Sequence, residues 1–257
     1  SIRDYTFDNG RIQLRAGMHV DAQFGHDGRL MVAPDVKFDF LFAETYRVYV
    51  HATGGTRLND FRRLNALSPY WTQLAQMQTS YTPVDMQAGV KGAPVPGFGF
   101  CLYGGYRVVK DEVFHVPYVL ENGYPYAYVG SSQEKAKVGY GGVKLAYQYK
   151  DWIDMTLDGV YSHWNVKEGM EPLLYLKPRF VLDASVRAKI YRDLWVKAQY
   201  RFEKRVEMEG MESAKSVNNL SLSAGYEFFG RLNVFVGVNN LLNRTYLTET
   251  GYPLHGI

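Results

Sequence analysis

The 257 residues carry 29 Lys and Arg against 26 Asp and Glu, and their 15% aromatics come chiefly from 21 Tyr and 14 Phe. The resulting charge of +3 argues against a nucleic-acid partner, and the single cysteine, Cys101, excludes an intrachain disulfide and a Cys-based metal site. No stretch reaches the roughly 18 apolar residues of a membrane-spanning helix, while the mean hydropathy of -0.27 is compatible with strands that alternate wet and greasy residues.

That alternation is the organising pattern from Arg11 onward. Successive side chains of a strand point to opposite faces, so a period of two gives one apolar and one polar face. Between Arg11 and Phe24, Ile12, Leu14, Ala16, Met18, Val20 and Ala22 share a face opposite Arg15, His19 and Asp21. Val36, Phe38, Phe40 and Phe42 oppose Asp35, Lys37 and Asp39; Tyr46, Val48, Val50 and Ala52 oppose Arg47 and His51. The same division recurs over 84–91, 98–107, 143–149, 153–161, 180–190, 194–203, 220–228 and 232–239, giving eleven predicted strands. The apolar faces so assigned carry no Lys, Arg, Asp or Glu. Cys101, within one of these segments, reads as a packed thiol.

Two features favour a membrane barrel over a soluble β-sandwich. Many segments exceed the five or six residues usual in sandwiches and approach the nine to eleven needed to cross a bilayer at a tilt. The connections also alternate in length: tight links join Phe42 to Tyr46, Val90 to Phe98, Tyr149 to Ile153, Ile190 to Leu194 and Phe228 to Leu232. Between them lie long ones, Gly54 to Tyr81, Glu112 to Lys137, His163 to Lys177 and Lys204 to Val217, with only Gly25 to Arg29 short. Short periplasmic turns and long extracellular loops are the pattern of outer-membrane barrels. The expected fold is all-β, a transmembrane antiparallel up-and-down barrel in the bacterial outer membrane, with the chain starting on the periplasmic side.

Val238-Asn239-Asn240-Leu241-Leu242-Asn243-Arg244-Thr245-Tyr246 resembles the segment before the last strand of TonB-dependent receptors, Val-x-Asn-Leu-Leu/Phe-Asp/Asn-Arg/Lys-x-Tyr. Gly54-Gly55-Thr56-Arg57 is similar to that family's Gly-x-x-Arg strand end, although Leu58-Asn59 stands where a Pro usually follows. The stretch Tyr81 to Gly92 is similar to the next strand. The resemblance implies half of a barrel of about 22 strands, residues 1–257 forming one barrel segment with the plug domain and remaining strands outside this chain. It implies a receptor binding a scarce nutrient (siderophore, vitamin, glycan or peptide) at extracellular loops and energised by TonB. Its partners would be the lipid bilayer, lipopolysaccharide, TonB, the plug and a surface lipoprotein. The alternative expectation is a self-contained barrel of about twelve strands acting as a passive pore or hydrolase.

Binding residues concentrate on loops held by a rigid scaffold, and cations beside aromatics suit flat or anionic ligands. Candidate ligand residues are therefore Arg57, Arg62, Arg63, Tyr70 and Trp71 in one long loop, and Tyr118, Tyr124 and Tyr126 in the next. On the polar face, Arg15, Arg47, Arg107, Arg187, Lys197, Arg201 and Glu203 have two readings: cross-strand ion ladders, or contacts to a plug. Trp152, Trp164 and Trp195 read as girdle residues at the headgroup level. No metal-ligand spacing exists among the six histidines, no cofactor is implied, and Ser185, His163 and Asp154 show no spacing that converges them into a catalytic site, so an enzyme is not expected.

Overall fold

In the computed structural model, residues 2–24, 28–67, 77–118, 128–191, 193–208, 215–229, 232–249 and 252–254 are described, with backbone alone at 2–4, 66–67, 115–118, 128–131, 247–249 and 252–254. Twelve strands form one antiparallel sheet in strict chain order. They are β1 (Ile2–Asp8), β2 (Ile12–Gln23), β3 (Arg29–Ala43), β4 (Tyr46–Arg57), β5 (Ser80–Val95), β6 (Phe98–Tyr118), β7 (Tyr128–Tyr149), β8 (Ile153–Asn165), β9 (Pro178–Tyr191), β10 (Leu194–Arg205), β11 (Val217–Phe228) and β12 (Leu232–Val238). A small hairpin, β13 (Tyr246–Glu249) with β14 (Tyr252–Leu254), follows, and a helix, α1 (Phe61–Leu67), stands in the long β4–β5 connection.

The register keeps like faces together. Along β2 and β3, Ile12 pairs with Phe40, Leu14 with Phe38 and Ala16 with Val36, while Gln13 meets Asp39 and Arg15 meets Lys37. Across β4, β5 and β6, Val48, Val90 and Leu102 line up, as do Arg47, Lys91 and Cys101. A slip of one residue would turn every charge onto the apolar side, so this alternation fixes the register. The apolar face leaves Met86 and Leu102 each 52% exposed, with Phe38, Phe42, Val50 and Tyr161 exposed beside them. A soluble protein would cover such a face; its exposure fits a hydrocarbon environment.

Four expectations need correction. The sheet has twelve strands, not eleven, because β1 precedes the first predicted one. A bulge between Ile2 and Tyr5 breaks the period of two, and the turn that follows is built by side chains: Asp8 Oδ1 accepts from Gly10 N at 2.8 Å and Asn9 Oδ1 from Ile12 N at 2.7 Å. Consequently Ile2 starts at the long-loop end, and not at the short-turn end. The stretch 112–137, expected as a loop, continues β6 and β7 as a projecting hairpin, with residues 119–127 outside the described ones. A bulge between Val109 and Glu112, with Asp111 at φ 57°, resets the alternation there. Finally, β1 and β12 each have one neighbour and do not pair with each other, so a closed twelve-strand barrel is not formed.

Candidate functional site: a cationic recess at the long-loop end

The polar face is laced by ion pairs along and across the strands. Asp35, only 6% exposed, lies 3.4 Å from Arg15, 3.6 Å from His19 and 3.5 Å from Lys37. Asp39 lies 3.7 Å from Arg47, 3.1 Å from His51 and 3.6 Å from Lys91. Farther along, Lys144 meets Asp158 at 2.7 Å, and Arg201 bridges Asp183 and Glu203, each at 3.0 Å. Arg187 stacks on the Trp195 ring, 4.9 Å from its centroid. These are the ladders read from the sequence. With the cations, such as Arg15, Lys37 and Lys144, half-exposed to water, such pairs contribute on the order of 1 kcal/mol each; those that cross strands also fix strand pairing.

Between the ladders runs a row of glycines covered by tyrosines. Tyr49 lies over Gly89, Tyr103 over Gly142 and Tyr140 over Gly105, so that a Cβ added at any of the three would fall within 2.7 Å of a ring atom. A side chain-free position opposite a flat ring lets the aromatic fill the gap in the sheet surface. Cys101 belongs to this polar face, paired with Lys91 and Lys144 and 3.5 Å from Tyr49 Oη, rather than to the apolar side.

At the long-loop end the polar face deepens into a recess of about 260 Å³. Its walls include Arg57 from the end of β4, Arg63 from α1, Arg107 from β6, Asp85 from β5 and Glu112 beyond the β6 bulge. Local structure explains each placement. Gly54 lies where a Cβ would stand 2.5 Å from Thr82 O and 2.8 Å from Ala33 Cβ, and Gly55 has φ +145°, so this pair lets β4 turn Arg57 toward the rim. Helix α1 is anchored by Asp60 Oδ1, which accepts from Arg63 N at 2.8 Å as an N-cap does. Arg63 Nη1 also donates to Asn59 Oδ1 and, at 3.3 Å, to Ser80 Oγ.

The electrostatics of this corner are one-sided. Asp85 already accepts from Tyr140 Oη at 2.6 Å and meets Arg107 at 4.0 Å; Glu112 lies 3.9 Å from Lys177. The Arg57 side chain makes no ion pair or hydrogen bond among the described residues. Burial pulls the Arg63 guanidinium below its ordinary pKa, and Arg57 adds repulsion against the opposing pull of Glu112. Lys177, packed 4.7 Å from the Phe114 ring centroid and 5.1 Å from that of Trp164, is likewise held low by burial, with Glu112 pulling it up and Arg63 and Arg107 pushing it down. Trp164 and Phe114 belong to a packed cluster with Ala136, Leu174 and Val206. Trp164 and Trp195 are therefore inner-face residues and not girdle ones.

No protein-family model and no curated protein matches the sequence. Solved structures do. FpvA of P. aeruginosa bound to pyoverdines matches with a TM-score of 0.68 at 16% identity, over 97% of this chain and 35% of that one. The FrpB iron transporter of Neisseria meningitidis gives 0.66 at 13%, over 98% and 42%, and the ferric-catecholate import receptor Fiu of E. coli K12 gives 0.62 at 13%, over 96% and 41%. The chain has the fold of a TonB-dependent receptor barrel. It spans well under half the length of these receptors.

The motif through which the sequence resembles the TonB-dependent receptors has a physical basis here. Asn240 and Asn243 both take positive φ, 53° and 48°, which asparagine tolerates better than most residues. Asn240, 5% exposed, accepts from Arg244 N at 3.3 Å, donates to Arg244 O at 3.0 Å, and through its own N–H reaches Asn219 Oδ1 at 3.0 Å. That network closes the turn after β12 and seats Tyr246, which is 8% exposed. Asn240→Ala is expected to cost about 1–3 kcal/mol, the penalty for stranding buried polar groups, read as an earlier unfolding midpoint in denaturant.

Of the candidate ligand residues, Arg57 and Arg63 meet in the recess, and Arg107, read from sequence as plug-facing, joins them. Arg62 is exposed on α1 and is not among the lining residues. Tyr70, Trp71, Tyr124 and Tyr126 lie outside the described residues, as does the side chain of Tyr118 at the end of β6. Arg15, Arg47, Arg187, Lys197, Arg201 and Glu203 all lie on the polar face. Glu112, Ser80 and Lys177 were not legible as site residues, because only the bulge at Asp111 and the fold-back of the loops bring them there.

Proposed function

We propose that this chain is part of the barrel of a TonB-dependent receptor in the bacterial outer membrane, and that the receptor imports a scarce nutrient. Substrate binds at the long-loop end, which faces outward, and TonB acting on a plug domain outside residues 1–257 supplies the energy. The chain itself performs no chemistry. Lipid and lipopolysaccharide meet the apolar face, the charges of the polar face are available to a plug, and a surface lipoprotein is a further partner. The observation that carries this reading is the match of nearly the whole sheet to receptor barrels combined with a recess lined by Arg57, Arg63 and Arg107 at the long-loop end. The matched proteins, by their descriptions, bind pyoverdines, import ferric catecholates or transport iron, which favours a metal-bearing nutrient. Uptake of radiolabelled iron chelates by cells expressing the full receptor tests it. Uptake should disappear when TonB is deleted; TonB-independent flux with channel conductance in planar bilayers would establish a passive pore instead.

A further inference from the structure

The recess holds more positive charge than its own carboxylates can neutralise. Three guanidinia, Arg57, Arg63 and Arg107, face two carboxylates, Asp85 and Glu112, both of which have other partners in Tyr140 and Lys177. The Nε of Arg107 is buried without a hydrogen-bond partner among the described residues. Gathering like charges on a partly desolvated wall is unfavourable unless an anion completes the set, and a guanidinium fork matches the geometry of carboxylate and phosphate oxygens. The remaining lining is polar, with Thr53 and Thr82 beside the arginines and Val109 the one bulky apolar residue.

Size narrows the ligand. At about 260 Å³ the recess is smaller than the roughly 300–1,000 Å³ of sites that enclose a whole drug-sized molecule. It would seat one compact head group while the rest of the molecule lies outside.

Building on the transport reading above, we infer that this recess is a binding site for a multiply charged oxyanion group, a phosphate or clustered carboxylates. Such a group belongs to the imported solute. Arg63 and Arg107 grip it, Arg57 closes the rim, and Glu112 competes with it for the same guanidinia.

Titration of inorganic phosphate into the full-length receptor, purified in detergent at low salt, is the direct test. Wild-type protein should bind phosphate, and the Arg63→Gln/Arg107→Gln double variant should bind it at least tenfold more weakly. Glu112→Gln, which removes the competing carboxylate, should tighten binding severalfold, a gain that misfolding cannot imitate. Absence of phosphate binding by wild type, or equal binding by all three proteins, overturns the inference. Loss of the anion site with TonB-dependent uptake intact removes this inference alone, whereas phosphate binding without TonB dependence removes the transport reading alone.

Discussion

Arginine at position 198 is expected to destabilise the protein severely, and arginine at position 199, one residue along the same strand, to leave it nearly unchanged. Ala198 pairs with Val186 and Leu222 on the apolar face, whereas Gln199 sits between Ser185 and Ser221 on the polar one. A guanidinium held on the lipid side near the bilayer midplane costs about 2–4 kcal/mol, enough to change the folded-to-unfolded ratio by more than an order of magnitude. At Gln199 the same group enters a hydrated wall that already carries Arg187, Lys197 and Arg201 around Asp183. Guanidinium unfolding of the membrane-embedded protein, followed by tryptophan fluorescence, should separate Ala198→Arg from Gln199→Arg by that amount. Equal midpoints for the two variants would mean that the apolar face does not meet hydrocarbon, and the membrane assignment would go with it.

That contrast of neighbours was legible in the sequence because one residue of offset exchanges faces throughout a strand. From β2 to β5 and from β8 to β12 the predicted faces and the observed pairs coincide, since no charge interrupts the apolar columns. Bulges defeat the same logic. One between Ile2 and Tyr5 concealed β1, and another before Glu112 concealed the extension of the β6–β7 hairpin. Reading a single residue by its own character and not by the period misplaces those whose contacts are mixed. Trp195 looks apolar yet stacks on Arg187, and Cys101 lies between two lysines. For the recess, Arg57, Arg63 and Arg107 each stood out as cations on a loop or polar face. Their convergence did not, because it depends on α1 folding back from Asp60 and on the side chain-free backbone at Gly54, neither of which leaves a periodic trace.

The sheet wall and the recess are connected through one glycine, and Gly105→Val should disturb both. A Cβ at Gly105 would stand 2.4 Å from Tyr140 Cζ and 2.6 Å from Met86 O. The carbonyl belongs to the neighbouring strand and cannot retreat without opening the ladder, while the ring can move only by leaving its place over the glycine. Overpacking of this kind costs about 1–3 kcal/mol, so the unfolding midpoint should fall. Displacing the ring also breaks the 2.6 Å hydrogen bond from Tyr140 Oη to Asp85 and withdraws the aromatic face whose centroid lies 6.0 Å from the Arg107 guanidinium. Asp85, released from Tyr140, then turns fully to Arg107 and competes with any bound oxyanion. Tyr140→Phe separates the two effects: it keeps the ring over Gly105 and removes only the hydroxyl, so phosphate affinity should weaken severalfold with little change in stability. Were Gly105→Val as stable as wild type, the ring-over-glycine packing would have no energetic role. A normal phosphate affinity in Tyr140→Phe would mean that Asp85 is held away from Arg107 by the backbone of β5 rather than by the tyrosine.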